Sequence, residues 1–250
     1  MERGGQVALK VVLFDVEDTL LDVASGLQFG VRQILMEMGY RHPEQLETKL
    51  LNRALDMVGS ARTLYELRVL LSLRTVFGSN IRLLRFSAKT LVWLDYLRTH
   101  GAQPVSGCQS VLVRLKDEGL SLGAVTDISS KMYRKLEARL PFLKEFETVV
   151  TRSEIRHTKP SPEGIVLALH RLGVAPSEAV YVGNMPSDVE AGRAAGVTTV
   201  WVPGALKPYL ENRRLNIEPD FEVDSLKEAA DVILERLLRS SRTVPKAETG

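Results

Sequence analysis

Apolar residues run unbroken from Val11 to Phe14 and then give way to Asp15, Glu17, Asp18 and Thr19. A short, wholly apolar run is the mark of a strand buried on both faces of a parallel sheet. Acids gathered where such a strand ends are costly unless a cation or a reacting group holds them. An acidic turn that caps the next helix is the alternative reading of the same residues.

From about residue 23 to 103 the spacing turns helical. GLQFGVRQILMEMGY carries apolar residues at helical intervals and stops near Gly39, and Pro43 opens a second helix through Met57. LYELRVLLSLRTVF and IRLLRFSAKTLVWLDYL predict two more, separated by Gly78, Ser79 and Asn80. A succession of helices without a strand predicts a small bundle, with Met36, Met38, Trp93 and Tyr96 in its core.

Beyond residue 104, strands and helices alternate. LSLGAVT, ETVVT, AVYVG and TTVWVP read as strands, with helices near 111–118, 131–139, 162–172 and 188–195. A last amphipathic helix, 226–238, covers the sheet. This alternation predicts an α/β fold: a parallel sheet with right-handed crossovers and helices on both faces. The core is expected over 7–22 and 104–239, the inserted helical domain over 23–103, and mobile ends over 1–6 and 240–250.

A net charge of +2 over 250 residues argues against nucleic acid or an anionic membrane as partner. No apolar run approaches the roughly 18 residues of a membrane span. The single cysteine, Cys108, excludes an internal disulfide and fits a reducing, cytoplasmic compartment. With four histidines it leaves no Cys- or His-built metal site in view. Cys108 follows Gly107 at a helix start, where a thiol pKa can fall, but it reads as a buried small residue. The GxGxxG and GxxxxGK[ST] fingerprints are absent, which removes dinucleotide and P-loop readings. Nothing in the sequence speaks to oligomeric state.

The polar residues that remain sit at strand ends. Asp15 closes the first strand, Thr126 and Asp127 close LSLGAVT, Lys159 follows ETVVT, and Asn184 and Asp188 follow AVYVG. In an open parallel sheet these positions gather at one carboxyl edge, where ligands bind. An acid pair, a hydroxyl, a lysine and a second polar–acid pair at one edge describe a reaction site.

In order and spacing, DVEDTLL from Asp15, AVTD ending in Asp127, KPSPE from Lys159 and VGNMPSD ending in Asp188 resemble the four motifs of the haloacid dehalogenase-like hydrolase superfamily. The resemblance spans nearly the whole chain. It implies a Rossmann-like core with a helical cap inserted between the first two motifs, and a phosphatase that uses Mg2+ on a small phosphorylated metabolite. It further implies Asp15 as a nucleophile that forms an aspartyl-phosphate, and Thr126 as a hydroxyl donor to a phosphoryl oxygen. Lys159 would offset charge on nucleophile and phosphate, and Pro160 would hold Lys159 extended. Asp15, the Glu17 backbone carbonyl, Asn184 and Asp188 would serve the metal.

Three positions depart from the family pattern. Glu17 stands where aspartate is usual for the acid that protonates the leaving oxygen; its extra methylene shifts the carboxyl, and about 1 Å of misplacement can cost on the order of 100-fold. Asn184 replaces a metal-binding aspartate and lowers the expected affinity for Mg2+. Asp127, often asparagine, adds a charge beside the phosphate site and is expected to replace in part the one missing at Asn184. These departures keep open a second reading, a catalytically weak relative that binds phospholigands or partners. A third, metal-free 2-haloacid dehalogenation, sits poorly with the acid Glu17.

The inserted segment adds a charge asymmetry. Residues 25–103 carry 11 Lys or Arg against 6 Asp or Glu. Arg53, Arg62, Arg68, Arg74, Arg82 and Arg85 are candidates to meet an anionic substrate beneath a closing cap, against the plainer reading of solvated helix faces.

Overall fold

The computed structural model describes residues 8–58, 81–210 and 217–242. The chain divides into two compact units, one of Met1–Leu20, Pro104–Gly204 and Asn216–Gly250, the other of Leu21–Gln103 with Ala205–Leu215.

In the first unit, β1 (Val11–Phe14), β4 (Ser121–Thr126), β5 (Thr148–Thr151), β6 (Ala179–Gly183), β7 (Thr198–Trp201) and β8 (Phe221–Glu222) form one sheet in the order β5-β4-β1-β6-β7-β8. Every pairing is parallel. Each strand therefore needs a crossover, and the helices supply it. On one face α6 (Glu163–Leu172) and α7 (Pro186–Ala195) pack on the sheet, with Ile165, Leu169 and Ala191 closing against Val11, Leu13, Val125 and Tyr181. Helices α4 (Cys108–Asp117) and α9 (Leu226–Arg242) pack against each other, tied by the Arg114–Asp231 ion pair at 2.5 Å. Strand residues on both faces of β1 are fully buried, which is why its sequence is apolar throughout instead of alternating.

The register sets the site. Phe14 lies beside Ala124 of β4 and Val182 of β6. Asp15 just beyond Phe14, Thr126 at the last rung of β4 and Asn184 just after β6 thus lie together at the carboxyl edge of the sheet. The ladder runs one step past β1, since the Asp15 N–H donates to the Val182 carbonyl at 2.9 Å.

The second unit contains α1 (Ala24–Glu37), α2 (Pro43–Val58) and α3 (Ile81–Tyr96), with β2 (Leu21–Asp22) paired to β3 (Gln103–Pro104) and a short helix α8 (Lys207–Leu210). Val31, Ile34, Leu35, Leu50 and Phe86 form its core, flanked by Leu27, Met38, Tyr40, Leu46 and Trp93. Trp93 lies across α1 at Gly30, where an added Cβ would come within 1.8 Å of the indole nitrogen, and that nitrogen donates to the Gly26 carbonyl at 3.0 Å. Only a residue without a side chain admits the ring there.

Several expectations need correction. Met36 and Tyr96 are 44% and 50% exposed instead of belonging to the bundle core, because the apolar stripe of α3 turns inward through Phe86 and Trp93 and leaves Tyr96 at its rim. Residues 205–210, which include α8 (Lys207–Leu210), group with the helical unit, not with the α/β core. At the start of α1, Asp22 accepts the Ser25 N–H at 3.0 Å. Arg82 and Arg85 are exposed. The third cap helix expected over LYELRVLLSLRTVF, with Arg62, Arg68 and Arg74, lies outside the described residues, as do the Arg53 side chain, residues 1–6 and most of 240–250. Among the described residues, no helix is long and apolar enough to cross a membrane.

Candidate active site

Asp15 is the centre of a buried polar cluster. Its Oδ1 accepts from Lys159 Nζ at 2.5 Å, and its Oδ2 accepts from the Thr19 hydroxyl at 3.1 Å. Lys159 reaches in from the loop before α6, across a cis bond to Pro160, and its ammonium also contacts Asp188 Oδ1 at 2.8 Å. Glu163 shapes that loop by accepting the N–H groups of Arg156 and His157 at 2.9 and 3.0 Å.

Asp188 sits in the first turn of α7 and is saturated. Oδ2 accepts the Asn184 and Met185 N–H groups at 3.1 and 2.9 Å, tying down the turn after β6. Oδ1 accepts from Lys159 and from the Tyr181 hydroxyl, which is 3.2 Å away. Asp188, expected to serve the metal, thus spends both oxygens on the loop and on Lys159. Trp201 donates to the Asn184 carbonyl at 2.8 Å and completes the support of this turn.

Thr19 faces two acceptors, Asp15 Oδ2 at 3.1 Å and Asn184 Oδ1 at 3.3 Å. A hydroxyl has one hydrogen, so it serves one of these oxygens at a time and leaves the other short. The Asn184 Nδ2 is also buried without a partner. Two hard oxygens brought together and under-satisfied suit Mg2+, which favours oxygen donors and carries its own waters. Asn184 supplies oxygen without charge, and among the described residues no group of three or more His, Cys, Asp or Glu is arranged for a metal. The donor set therefore fits Mg2+ with one formal charge fewer than a pair of acids would bring.

Burial pushes the Asp15 carboxyl up, to about 8, against the pull of Lys159 and with repulsion from Asp188 and Asp127. Burial works against the Lys159 ammonium too, but Asp15 and Asp188 more than offset it and hold that group well above its ordinary value. Burial also raises Asp127, whose carboxyl accepts the Lys159 N–H while its Oδ1 has no partner. Thr126 is buried at the end of β4, its Oγ1 3.4 Å from the Ile128 N–H. Glu17 is half-buried in the loop after β1, and its charge acts on Asp127. Asp18 beside it takes φ 60°, a left-handed conformation that Asp tolerates better than most side chains.

The structure thus joins Asp15, Lys159, Asn184 and Asp188 by direct hydrogen bonds or ion pairs, with Thr19 as the link to Asn184. The structure adds Thr19, Tyr181 and Trp201 to the site. Thr19 could have been found from its place in the acidic run; the other two sit inside apolar strands, where nothing local marks them.

The sequence profile described as "Haloacid dehalogenase-like hydrolase" matches residues 12–202. The chain belongs to this family. It is 31% identical over 232 residues to a glyceraldehyde 3-phosphate phosphatase of Methanopyrus kandleri, covering 91% of this chain and 98% of the relative. It is 28% identical over 233 residues to an N-acetylmuramic acid 6-phosphate phosphatase of Pseudomonas aeruginosa, covering 91% and 96%. Among solved structures, the HAD-hydrolase YfnB of Bacillus subtilis, bound to magnesium, superposes with a TM-score of 0.70 at 18% identity, over 91% of this chain and 99% of that one. CbbY of Rhodobacter sphaeroides, in complex with phosphate, gives 0.61 at 18% identity over 88% and 96%. At such identities the likeness is one of fold.

Proposed function

We propose that this chain is a Mg2+-dependent phosphatase of small phosphorylated metabolites that works through an aspartyl-phosphate on Asp15. The observation that carries this reading is the Asp15 carboxylate, held at the end of β1 by Lys159 at 2.5 Å and by Thr19 at 3.1 Å beside an oxygen of Asn184. The named activities of the two curated relatives support it, both being phosphatases.

Asp15 attacks phosphorus as the bond to the leaving alcohol breaks, and Glu17 gives that alcohol its proton. Water then attacks the same phosphorus, Glu17 takes back a proton, and phosphate departs with Asp15 restored. Lys159 and the Thr126 hydroxyl face the charge that builds on the phosphoryl oxygens. Asp15, the Glu17 carbonyl and Asn184, with Asp188 behind them, would hold Mg2+, which would supply positive charge to nucleophile and phosphate. The cytoplasm is the proposed compartment, supported by the free and buried Cys108.

The test is phosphate release from para-nitrophenyl phosphate, glyceraldehyde 3-phosphate, 2-phosphoglycolate and N-acetylmuramic acid 6-phosphate. Turnover that needs Mg2+ and disappears in a folded Asp15→Asn variant is expected, with a beryllium fluoride adduct on Asp15. The partnerless Nδ2 of Asn184 favours a second reading, a phospholigand-binding relative with little turnover. Tight anion binding without phosphate release from any of these esters would select it.

A further inference from the structure

Among the described residues, most of the large apolar side chains left in solvent lie on α1 and α3, two helices that pack together. Ile81, Leu84 and Val92 of α3 are 67%, 65% and 72% exposed, and Ala88 and Tyr96 face solvent with them. Steps of three and four residues put these five in one stripe, on the side of α3 away from the buried Phe86. A solvated helix face is ordinarily polar. One exposed apolar residue needs no explanation, but a continuous stripe does.

The two halves of the stripe differ in shape and in charge. Ile81 and Leu84 stand out from the first half. The second half borders a groove of about 510 Å³, lined by Ile34 and Glu37 of α1 and by Ala88, Val92, Trp93 and Tyr96 of α3. The Trp93 and Tyr96 rings, 5.6 Å apart, make a stiff aromatic wall, and the Lys89–Glu37 ion pair links the two helices across it. Arg82 and Arg85 flank the first half, whereas Asp95 and Glu37 flank the second, and all four are exposed. Ala88, the small residue, stands in the middle. A surface with a ridge and basic charge at one end, and a groove and acidic charge at the other, is complementary to itself turned around.

We propose that this surface binds a second copy of the chain, α3 packing antiparallel on α3 about a twofold axis at Ala88. Ile81 of one copy then lies level with Tyr96 of the other, and Leu84 level with Val92 and Trp93. The ridge of each copy enters the groove of its mate. The arginines at the start of one helix meet the acidic end of the other, and the two helix dipoles run head to tail. Ala88 at the axis lets the helices approach to about 8 Å, the close end of the usual range. The contact is isologous, so assembly closes at two. A helix of 16 residues, about 24 Å long, with the rim of α1 gives an interface at the small end of the specific range, and micromolar affinity follows.

Sedimentation velocity of the full chain from about 1 to 200 µM tests this, and a monomer–dimer equilibrium without larger species is expected. Ala88→Glu and Ala88→Lys each set two like charges at the axis and should weaken the dimer at least about tenfold while melting like the unaltered protein. Mixing the two variants pairs opposite charges and should restore the dimer. Arg85→Glu, confined to an exposed side chain, should also weaken it at least about tenfold, and the unaltered dimer should loosen as salt rises. A chain that stays monomeric throughout would overturn the proposal and leave the groove to a partner of another sequence. So would a dimer indifferent to the Ala88 and Arg85 variants, or folded Ala88 variants that remain monomeric when mixed.

Discussion

Gly183 and Asp188 approach so closely that the glycine has no room to become anything else: a Cβ at position 183 would stand 2.4 Å from the Asp188 Cβ. Gly183 ends β6, and Asp188 uses the space above it to reach the N–H groups of Asn184 and Met185. Gly183→Ala is therefore expected to lose about 1–3 kcal/mol of stability through overpacking. It should also lose turnover out of proportion to that loss, since the Asp188–Lys159 contact moves with it. Urea unfolding and steady-state kinetics on the same preparation check both.

Lys159 holds two buried carboxylates apart. Replacing it by methionine leaves Asp15 and Asp188 without their ammonium, and loss of one partner from a buried pair costs about 3–5 kcal/mol. Turnover should fall by about 10²–10³-fold or more, the scale seen when one charge-stabilising group is removed. Lys159→Arg should not restore it, because a planar fork cannot place one point charge between both acids. Rescue by arginine would show that charge alone suffices.

Asn184→Asp restores a charge to the oxygen pair around Thr19. The Mg2+ concentration for half-maximal activity is expected to drop about tenfold, equivalent to roughly 1.4 kcal/mol. Unchanged Mg2+ dependence would mean that the Asn184 oxygen lies outside the metal's reach.

Cys108 is 1% exposed, and burial pushes its thiol up to about 12. The raised value means that almost no thiolate exists at pH 8, so the position at a helix start brings no reactivity. Ellman's reagent at about pH 8 should leave the native protein unmodified and react with one thiol per chain after unfolding.

How much of this could be read from the chain differs by element. The long apolar strands and their crossover helices announce themselves because burial on both faces forbids polar residues. β2, β3 and β8 are two residues each, too short for any period to show. Met36 and Tyr96 follow the helical spacing of their neighbours yet point outward, since periodicity gives a stripe but not its edges. At the site, Asp15, Lys159, Asn184 and Asp188 betray themselves as polar residues at strand ends. Tyr181 does not: it looks like one more large core residue of β6, and only the fold reveals its hydroxyl set between the Val125 carbonyl and Asp188.

The pairing of Leu21–Asp22 with Gln103–Pro104 brings the two chain ends of the helical insertion side by side. A segment whose entrance and exit already touch can be lengthened, shortened or exchanged for another with little change in loop-closure entropy. The ladder that aims Asp15 need not be rebuilt when that happens. The insertion is thereby separable from the chemistry: a laboratory graft of a relative's residues between the same two strands should leave the ladder that places Asp15 intact.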